Sequence, residues 1–239
     1  QMCIRDSLSA QVTFKVKDGL SLHGDMDAIH FGLHYTAEGS TEVNDMLLRT
    51  TPMVDERPER VPGLRTKFLN DGIPADRVAR LSVTLGLPDG SGYVRLASSD
   101  PSVQPTFNYQ YLQHPNDKRR VRDGIRKAAA FLESDAYKDV CDQRLHPVDD
   151  ILNDDDALDR YISQTVGTAR HVSGTCKMGP DSDPTAVVDQ YCSVKGVAGL
   201  SVVDASIKPK ITRSGGSHAT VLMMAERAVE FIARTLAKV

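Results

Sequence analysis

Apolar and polar residues alternate in three stretches of the first hundred positions: Val12, Phe14 and Val16; Ile29, Phe31, Leu33 and Tyr35; Leu81, Val83 and Leu85. A period of two places each set on one face of a β-strand. Asp18-Gly19, Glu38-Gly39-Ser40 and Pro88-Asp89-Gly90 break the runs as turns. A further strand is expected from Asp45 to Val54, ending near Pro52. This pattern predicts an antiparallel sheet with one face covered. Beyond Asn116 the period becomes helical, with Val121, Ile125, Ala128 and Leu132 on one side and Asn116 or Asp117 placed to cap the start. A second helix is expected over about 154–164, its acidic first turn at the positive helix end. Then come a glycine-rich loop from Gly167 to Gly179, a short buried strand at Gly199–Asp204, and a final helix from near Ser217. Val221, Met224, Ala225, Ala228 and Ile232 form the apolar stripe of that helix. The fold class is α+β. A boundary is expected around 143–150, dividing a sheet-rich portion, 8–150, from a closing segment, 151–239.

Composition narrows the function classes. The chain has 239 residues, 40% hydrophobic, enough for a real core. Its net charge is −3 with interspersed signs, which leaves no footprint for nucleic acid. The densest basic stretch (Lys118, Arg119, Arg120, Arg122, Arg126, Lys127) is diluted by Asp117 and Asp123 and reads as a solvated helix face. No apolar run reaches the roughly 20 residues of a transmembrane segment. Cys3, Cys141, Cys176 and Cys192 are too few and too scattered for a disulfide framework, form no CxxC pair for zinc, and fit a reducing, cytoplasmic setting. At the N-terminus, residues 1–7 (Gln-Met-Cys-Ile-Arg-Asp-Ser) have the form of neither a signal peptide, a strand nor a helix cap. They resemble the translated end of a transposon-type sequencing adapter, so this segment is expected to be an artefact of the gene sequence, with the biological chain starting upstream.

Histidine is the natural place to look for proton transfer at neutral pH, with an unperturbed pKa of about 6.5. His30 and His34 stand about 13 Å apart along a strand, too far for one metal ion. His114 and His146, each followed by proline, read as turn or helix-start residues, and His23 as a histidine without a catalytic role. His171 opens a run of small and polar residues, and His218 follows Ser214-Gly215-Gly216-Ser217 at the start of a helix. Glycine permits close backbone approach to a ligand, and a helix start offers free N–H groups. On spacing alone each of these two is either a catalytic group or a capping or buried histidine. Asp204 is equally open between a turn residue and a cofactor contact.

The segment from His171 to Ile232 resembles the C-terminal signature of the glucose–methanol–choline (GMC) oxidoreductase family. The matching stretches are His171-Val-Ser-Gly-Thr-Cys-Lys-Met-Gly179, Asp183-Pro-Thr-Ala-Val-Val-Asp189, Val194-Lys-Gly-Val-Ala-Gly-Leu200, Val202-Val-Asp-Ala-Ser-Ile-Lys-Pro209 and Ala225-Glu-Arg-Ala228. Gly92 to Pro101 and Tyr111 to Asp117 match more loosely, and Tyr35 to Ser40 with Asn44-Asp45-Met46 is a weaker echo. The resemblance implies a fragment of a flavoprotein that oxidises the CH–OH group of an alcohol. Its antiparallel sheet would be a substrate-binding cap. Its closing segment would complete a Rossmann-like FAD domain, whose G-x-G-x-x-G phosphate loop occurs nowhere in these residues.

By the same resemblance His171 is the base that takes the hydroxyl proton as hydride passes to flavin N5, and His218 hydrogen-bonds the substrate oxygen. Asp204, Ala205 and Thr220 match positions whose backbone meets FAD. Cys176 reads as packing, and Asp183 and Asp189 as turn residues. From Asp204 to His218 the chain is one residue longer than the usual family pattern, which leaves the register of loop 210–218 open. The implied partners are a small-molecule alcohol and an electron acceptor that the sequence does not identify. Two alternatives stand beside this reading: a non-catalytic binding fragment with a degenerate site, and an FAD-containing enzyme like the hydroxynitrile lyases.

Overall fold

The computed structural model describes residues 2–20, 32–52, 73, 77–213 and 217–236. Ile29, Phe31, His23 and His30 lie outside them. The chain forms two compact units that interleave along the sequence, where a single boundary was expected. A sheet unit comprises 9–85 and 118–167. A closing unit comprises 1–8, 86–117 and 168–239.

The strands are β1 (Met2–Ile4), β2 (Leu8–Val16), β3 (Gly32–Tyr35), β4 (Met46–Pro52), β5 (Val78–Leu85), β6 (Gly92–Arg95), β7 (Thr106–Asn108) and β8 (Cys141–His146). The sheet unit orders its strands β3-β4-β5-β2-β8. β4 pairs antiparallel with β3 and β5, and β2 with β8 through two register irregularities. Val12, Phe14, Val16, Leu81, Val83 and Leu85 are all buried, as the alternation predicts. Thr13, Ser82 and Thr84 between them are buried as well. The centre of the sheet is therefore covered on both faces, not on one. At the edge strand β3 the alternation fails, because Leu33 is 56% exposed. β8 fills part of the expected domain boundary. Its sequence, CDQRLH, is too polar to show a strand pattern.

Helix α1 (Pro115–Leu132) lays Val121, Ile125, Ala128 and Leu132 into the core. It can lie close to the sheet because of Gly124: a Cβ there would come within 2.5 Å of Val83 Cγ1. Proline opens the helix, a position where its missing N–H costs nothing. Asp117, expected as a possible cap, instead accepts the backbone N–H groups of Asp89 and Gly90 at 2.9 Å each.

The basic stretch on α1 is a solvated face only in part. Arg120 is 1% exposed and pairs at 2.8 Å with Asp45, which is fully buried and also accepts the Ala37 N–H. Arg122 and Arg126 pair with Asp155, and Lys118 with Asp159. Those acids belong to α3 (Asp155–Thr165), which follows the short α2 (Asp149–Leu152). The acidic start of α3 thus supplies counter-charges to α1. The acidic first turn of α3 is as expected, and Asp154 just before it caps the helix by accepting the Ala157 N–H at 2.6 Å.

In the closing unit a second sheet runs β1-β6-β7, all antiparallel. Met2–Ile4, within the segment expected to be foreign, form its first strand, and Ile4 is 1% exposed. Strand pairing runs through backbone groups, which any residue but proline provides in full. Gly92 is where β6 and β7 press together: a Cβ there would sit 1.9 Å from the Asn108 carbonyl oxygen. Gly92→Ala is expected to lower stability by about 3 kcal/mol, the upper end of overpacking costs, read as a reduced urea midpoint against wild type.

The closing core gathers Val188, Cys192, Ile207 and Ala228, with Cys176, Met178, Val202, Val203 and Met224 packed around them. Helix α4 (Ser217–Leu236) begins where predicted and packs Met224 and Ala228 inward. Ile232, expected on the buried stripe, is 41% exposed. The expected buried strand at Gly199–Asp204 is instead a loop with an isolated bridge at Ser201. Leu200 is half exposed and Gly199 takes a positive φ, which breaks an extended run.

Candidate functional site

Two segments of the closing unit carry most of the predicted site residues. The first is the run from His171 to Gly179. It leaves Arg170 in a left-handed turn and reverses again at Gly174, where φ is +85°. His171 is half-buried, and its backbone N–H donates to Asp6 Oδ1 at 2.8 Å. The other oxygen of Asp6 accepts the Tyr111 hydroxyl at 2.5 Å and the Thr168 hydroxyl. Burial, and then the Asp6 carboxylate, push the Tyr111 phenol far above its ordinary range, so it remains a donor. Arg5 and Ser173 exchange two backbone hydrogen bonds of 2.9 Å just beyond. The backbone at His171 is therefore held from both sides.

The second segment is the turn from Asp204 to Lys208. The Asp204 carboxylate accepts the Ser206 N–H at 2.7 Å and caps a single 3-10 turn, Ala205–Ile207. Its side chain thus has a turn role; Asp204 is exposed and Ala205 half-buried. The segments are joined by main-chain bonds, Cys176 N–H to Ser206 O at 2.9 Å and Met178 N–H to Ile207 O at 2.8 Å. Cys176 packs against the closing core, as expected. Asp183 and Asp189 serve turns: Asp183 accepts from the backbone and hydroxyl of Thr185, and Asp189 from the N–H groups of Tyr191 and Ser193.

His218 and Thr220 occupy the first turn of α4, His218 exposed and Thr220 half-buried. Residues 214–216, on which the register of the preceding loop turns, lie outside the described residues. Among the remaining histidines His34 is exposed on β3, His146 is half-buried at the end of β8, and His114 stands 3.7 Å from Asp89. Asp89, His114 and Asp117 bring ligand-type atoms within 4.8 Å of one another, but Asp117 spends both oxygens on the backbone of the Pro88–Gly90 turn. In the sheet unit an open pocket of about 420 Å³ is bordered by Lys118, Asp156, Asp159 and Arg160, and no predicted site residue lines it.

Three polar side chains of these segments escaped the sequence reading. Lys208 is 3% exposed and donates to the Thr212 hydroxyl at 3.3 Å. Ser173 Oγ and Ser206 Oγ are buried with no hydrogen-bond partner among the described residues. The one available signal was a lysine directly after the run Val202 to Ile207, whose only charged residue is Asp204.

The sequence profile of the family described as GMC oxidoreductase matches residues 88–225, which include both segments. The chain belongs to the GMC oxidoreductase family. An uncharacterised GMC-type oxidoreductase from Rhodococcus erythropolis is 40% identical over 148 residues, covering 62% of this chain and 28% of its own length. An oxygen-dependent choline dehydrogenase from Rhizobium rhizogenes is 33% identical over 187 residues, covering 77% of this chain and 34% of the relative. This GMC chain thus spans about a third of the length of the curated relatives it matches. Among solved structures, pyridoxine 4-oxidase from Mesorbium loti superposes with a TM-score of 0.79 at 22% identity, over 96% of this chain and 43% of that one. Formate oxidase from Aspergillus oryzae, whose FAD modification was studied, gives a TM-score of 0.69 at 20% identity, over 97% and 47%. At those identities the likeness shows the fold, and it agrees with the α+β architecture of antiparallel sheets and helices. FAD, the expected cofactor, is named for two solved neighbours, the Aspergillus oryzae formate oxidase and an FAD-dependent oxidoreductase from Chaetomium thermophilum. Among the described residues no helix is long and apolar enough to cross a membrane.

Proposed function

We propose that this chain is the substrate-binding and C-terminal portion of an FAD-dependent enzyme that oxidises the CH–OH group of a small alcohol. One observation carries the reading. The His171–Gly179 run and the Asp204–Lys208 turn, both inside the family match, are stitched together by backbone hydrogen bonds. Proton-transfer chemistry and cofactor contact are thereby offered by one rigid pair of segments.

Fit to the cofactor is supported by unspent polar groups. Ser173 Oγ and Ser206 Oγ are buried donors without partners among the described residues, and buried polar groups ordinarily find one. Asp204, Ala205 and Thr220 would hold the flavin, the first two through a capped turn and the third at a helix start, where free N–H groups favour negative charge. Bound FAD supplies the hydride acceptor. The chain supplies the rest. The His171 imidazole takes the hydroxyl proton as the C–H bond breaks, from a backbone position held by Asp6. The His218 imidazole donates a hydrogen bond to the substrate oxygen as it gains charge.

The outward side of α4 supports the further reading that this segment completes an FAD domain. Leu222, Met223 and Val229 are each more than half exposed, while the opposite side of the helix packs on the closing core. Apolar side chains in that number on one helix fit a surface covered by more protein, here the flavin-binding portion carried in the upstream part of the family's longer members. We assign the sheet-rich portion to the alcohol.

The test is a chimera in which this chain replaces the matched segment of the Rhizobium rhizogenes relative. It should purify yellow, bleach when an alcohol is added under nitrogen, and then reduce dichlorophenol-indophenol. A folded chimera that retains no flavin would contradict the reading. One that retains flavin but never bleaches, across a panel of alcohols, would point to lyase chemistry without net redox.

A further inference from the structure

Lys208 is the most anomalous charge in the closing unit. Its side chain is as buried as the core, at 3% exposure. An ammonium has three N–H donors, yet among the described residues its one hydrogen bond is to the Thr212 hydroxyl, at a long 3.3 Å. No ion pair of Lys208 is formed with a described carboxylate. The nearest acid in sequence, Asp204, gives its carboxylate to the Ser206 N–H. Burying a cation without a partner is costly, and burial alone already pulls the Lys208 amine below its ordinary value. Two further buried donors, Ser206 Oγ and Ser173 Oγ, lie on the same pair of segments. The segments are close enough that a Cβ on Gly174 would stand 3.6 Å from the Lys208 carbonyl oxygen.

We infer that Lys208 is an anion-binding residue, whose ammonium is completed by an oxyanion, phosphate or carboxylate, of a bound ligand. A neutral hydroxyl on the protein side leaves the charge for the ligand to balance, and an ammonium serves as a point charge for either kind of oxyanion. Placing this anion beside the flavin contacts rests on the proposed function; the anion binding itself does not. The phosphate would come from the cofactor's diphosphate, and the carboxylate from an acidic substrate.

The experiment uses the 239-residue chain without flavin. Thermal unfolding midpoints are compared in sodium pyrophosphate, sodium acetate and sodium chloride at equal ionic strength, for the wild type and for Lys208→Met. At about tenfold saturation, binding to the folded chain should raise the wild-type midpoint by about 3–5 °C, with no rise in Lys208→Met. A rise with pyrophosphate alone assigns the anion to the cofactor, and one with acetate alone assigns it to the substrate. A rise with both supports the residue as a general oxyanion site. No rise beyond chloride, or an equal rise in Lys208→Met, overturns the inference. If Lys208→Met fails to fold, 15N-lysine NMR of the wild type decides. The Nζ signal of Lys208, assigned through Lys208→Arg, should shift on addition of the effective anion, and an unmoved signal overturns the inference. Because no flavin is present, an anion effect with a flavin-free chimera would defeat the proposed function alone.

Discussion

Arg120→Ala is expected to destabilise the protein by about 3–5 kcal/mol, lowering its thermal midpoint by about 10 °C. The reason is the partner left behind. Asp45 is fully buried, and Arg120 is its charge partner at 2.8 Å from a helix 75 residues away in sequence. Removing the guanidinium strands a carboxylate that cannot reach water. The double variant Arg120→Met with Asp45→Asn should recover much of the loss, since the charge is then removed from both sides and the Asn side-chain oxygen can still accept the Ala37 N–H. A thermal or urea denaturation cycle over the four proteins checks this, and additive single effects would contradict it. The pair also sets an acid limit. Burial pushes the Asp45 carboxyl up, but the Ala37 N–H and the Arg120 guanidinium outweigh it and hold it below its ordinary value of 3.8. Its contribution is therefore fully present above that value and is lost as pH falls below it. Wild-type stability should drop in that window, while the double variant lacks that component of the drop.

The second large effect concerns chemistry. In the flavin-loaded chimera, His171→Ala should lower kcat by about 10²–10⁴-fold, the usual worth of a positioned general base, with flavin content unchanged. Flavin retention is expected because the Asp6 contact to this residue runs through its backbone N–H, which alanine keeps. Stopped-flow reduction under nitrogen measures the chemical step directly. Near-normal reduction would remove His171 from the proton-transfer role, and loss of flavin would make it a structural residue.

What the sequence revealed, and what it hid, follows from where each signal resides. β2, β5, α1, α3 and α4 were legible because their apolar residues repeat with the period of a single element. β8 was hidden because Cys141 to His146 is a polar edge strand defined by its pairing with β2. The burial of Arg120 was hidden for a related reason: along the chain it is one charge in a basic run, and only the fold brings Asp45 to it. Gly199 to Asp204 carries apolar residues suited to a strand, but a positive φ at Gly199 and an exposed Leu200 turn it into a loop. At the candidate site, His171, Asp204 and their spacing were legible through the family motifs and not through any periodicity. The support beneath them was not legible, because Asp6, Tyr111 and Thr168 come from three distant stretches and meet only in the folded unit.

In the proposed reaction His171 and His218 serve one centre. The most direct measurement is a crystal structure of the chimera with FAD and a slowly reacting alcohol bound. Both imidazoles should lie within hydrogen-bond reach of the alcohol oxygen, with the carbinol carbon facing flavin N5. Rings that point to separate cavities, or an imidazole at 171 walled off from the alcohol by apolar side chains, would contradict it.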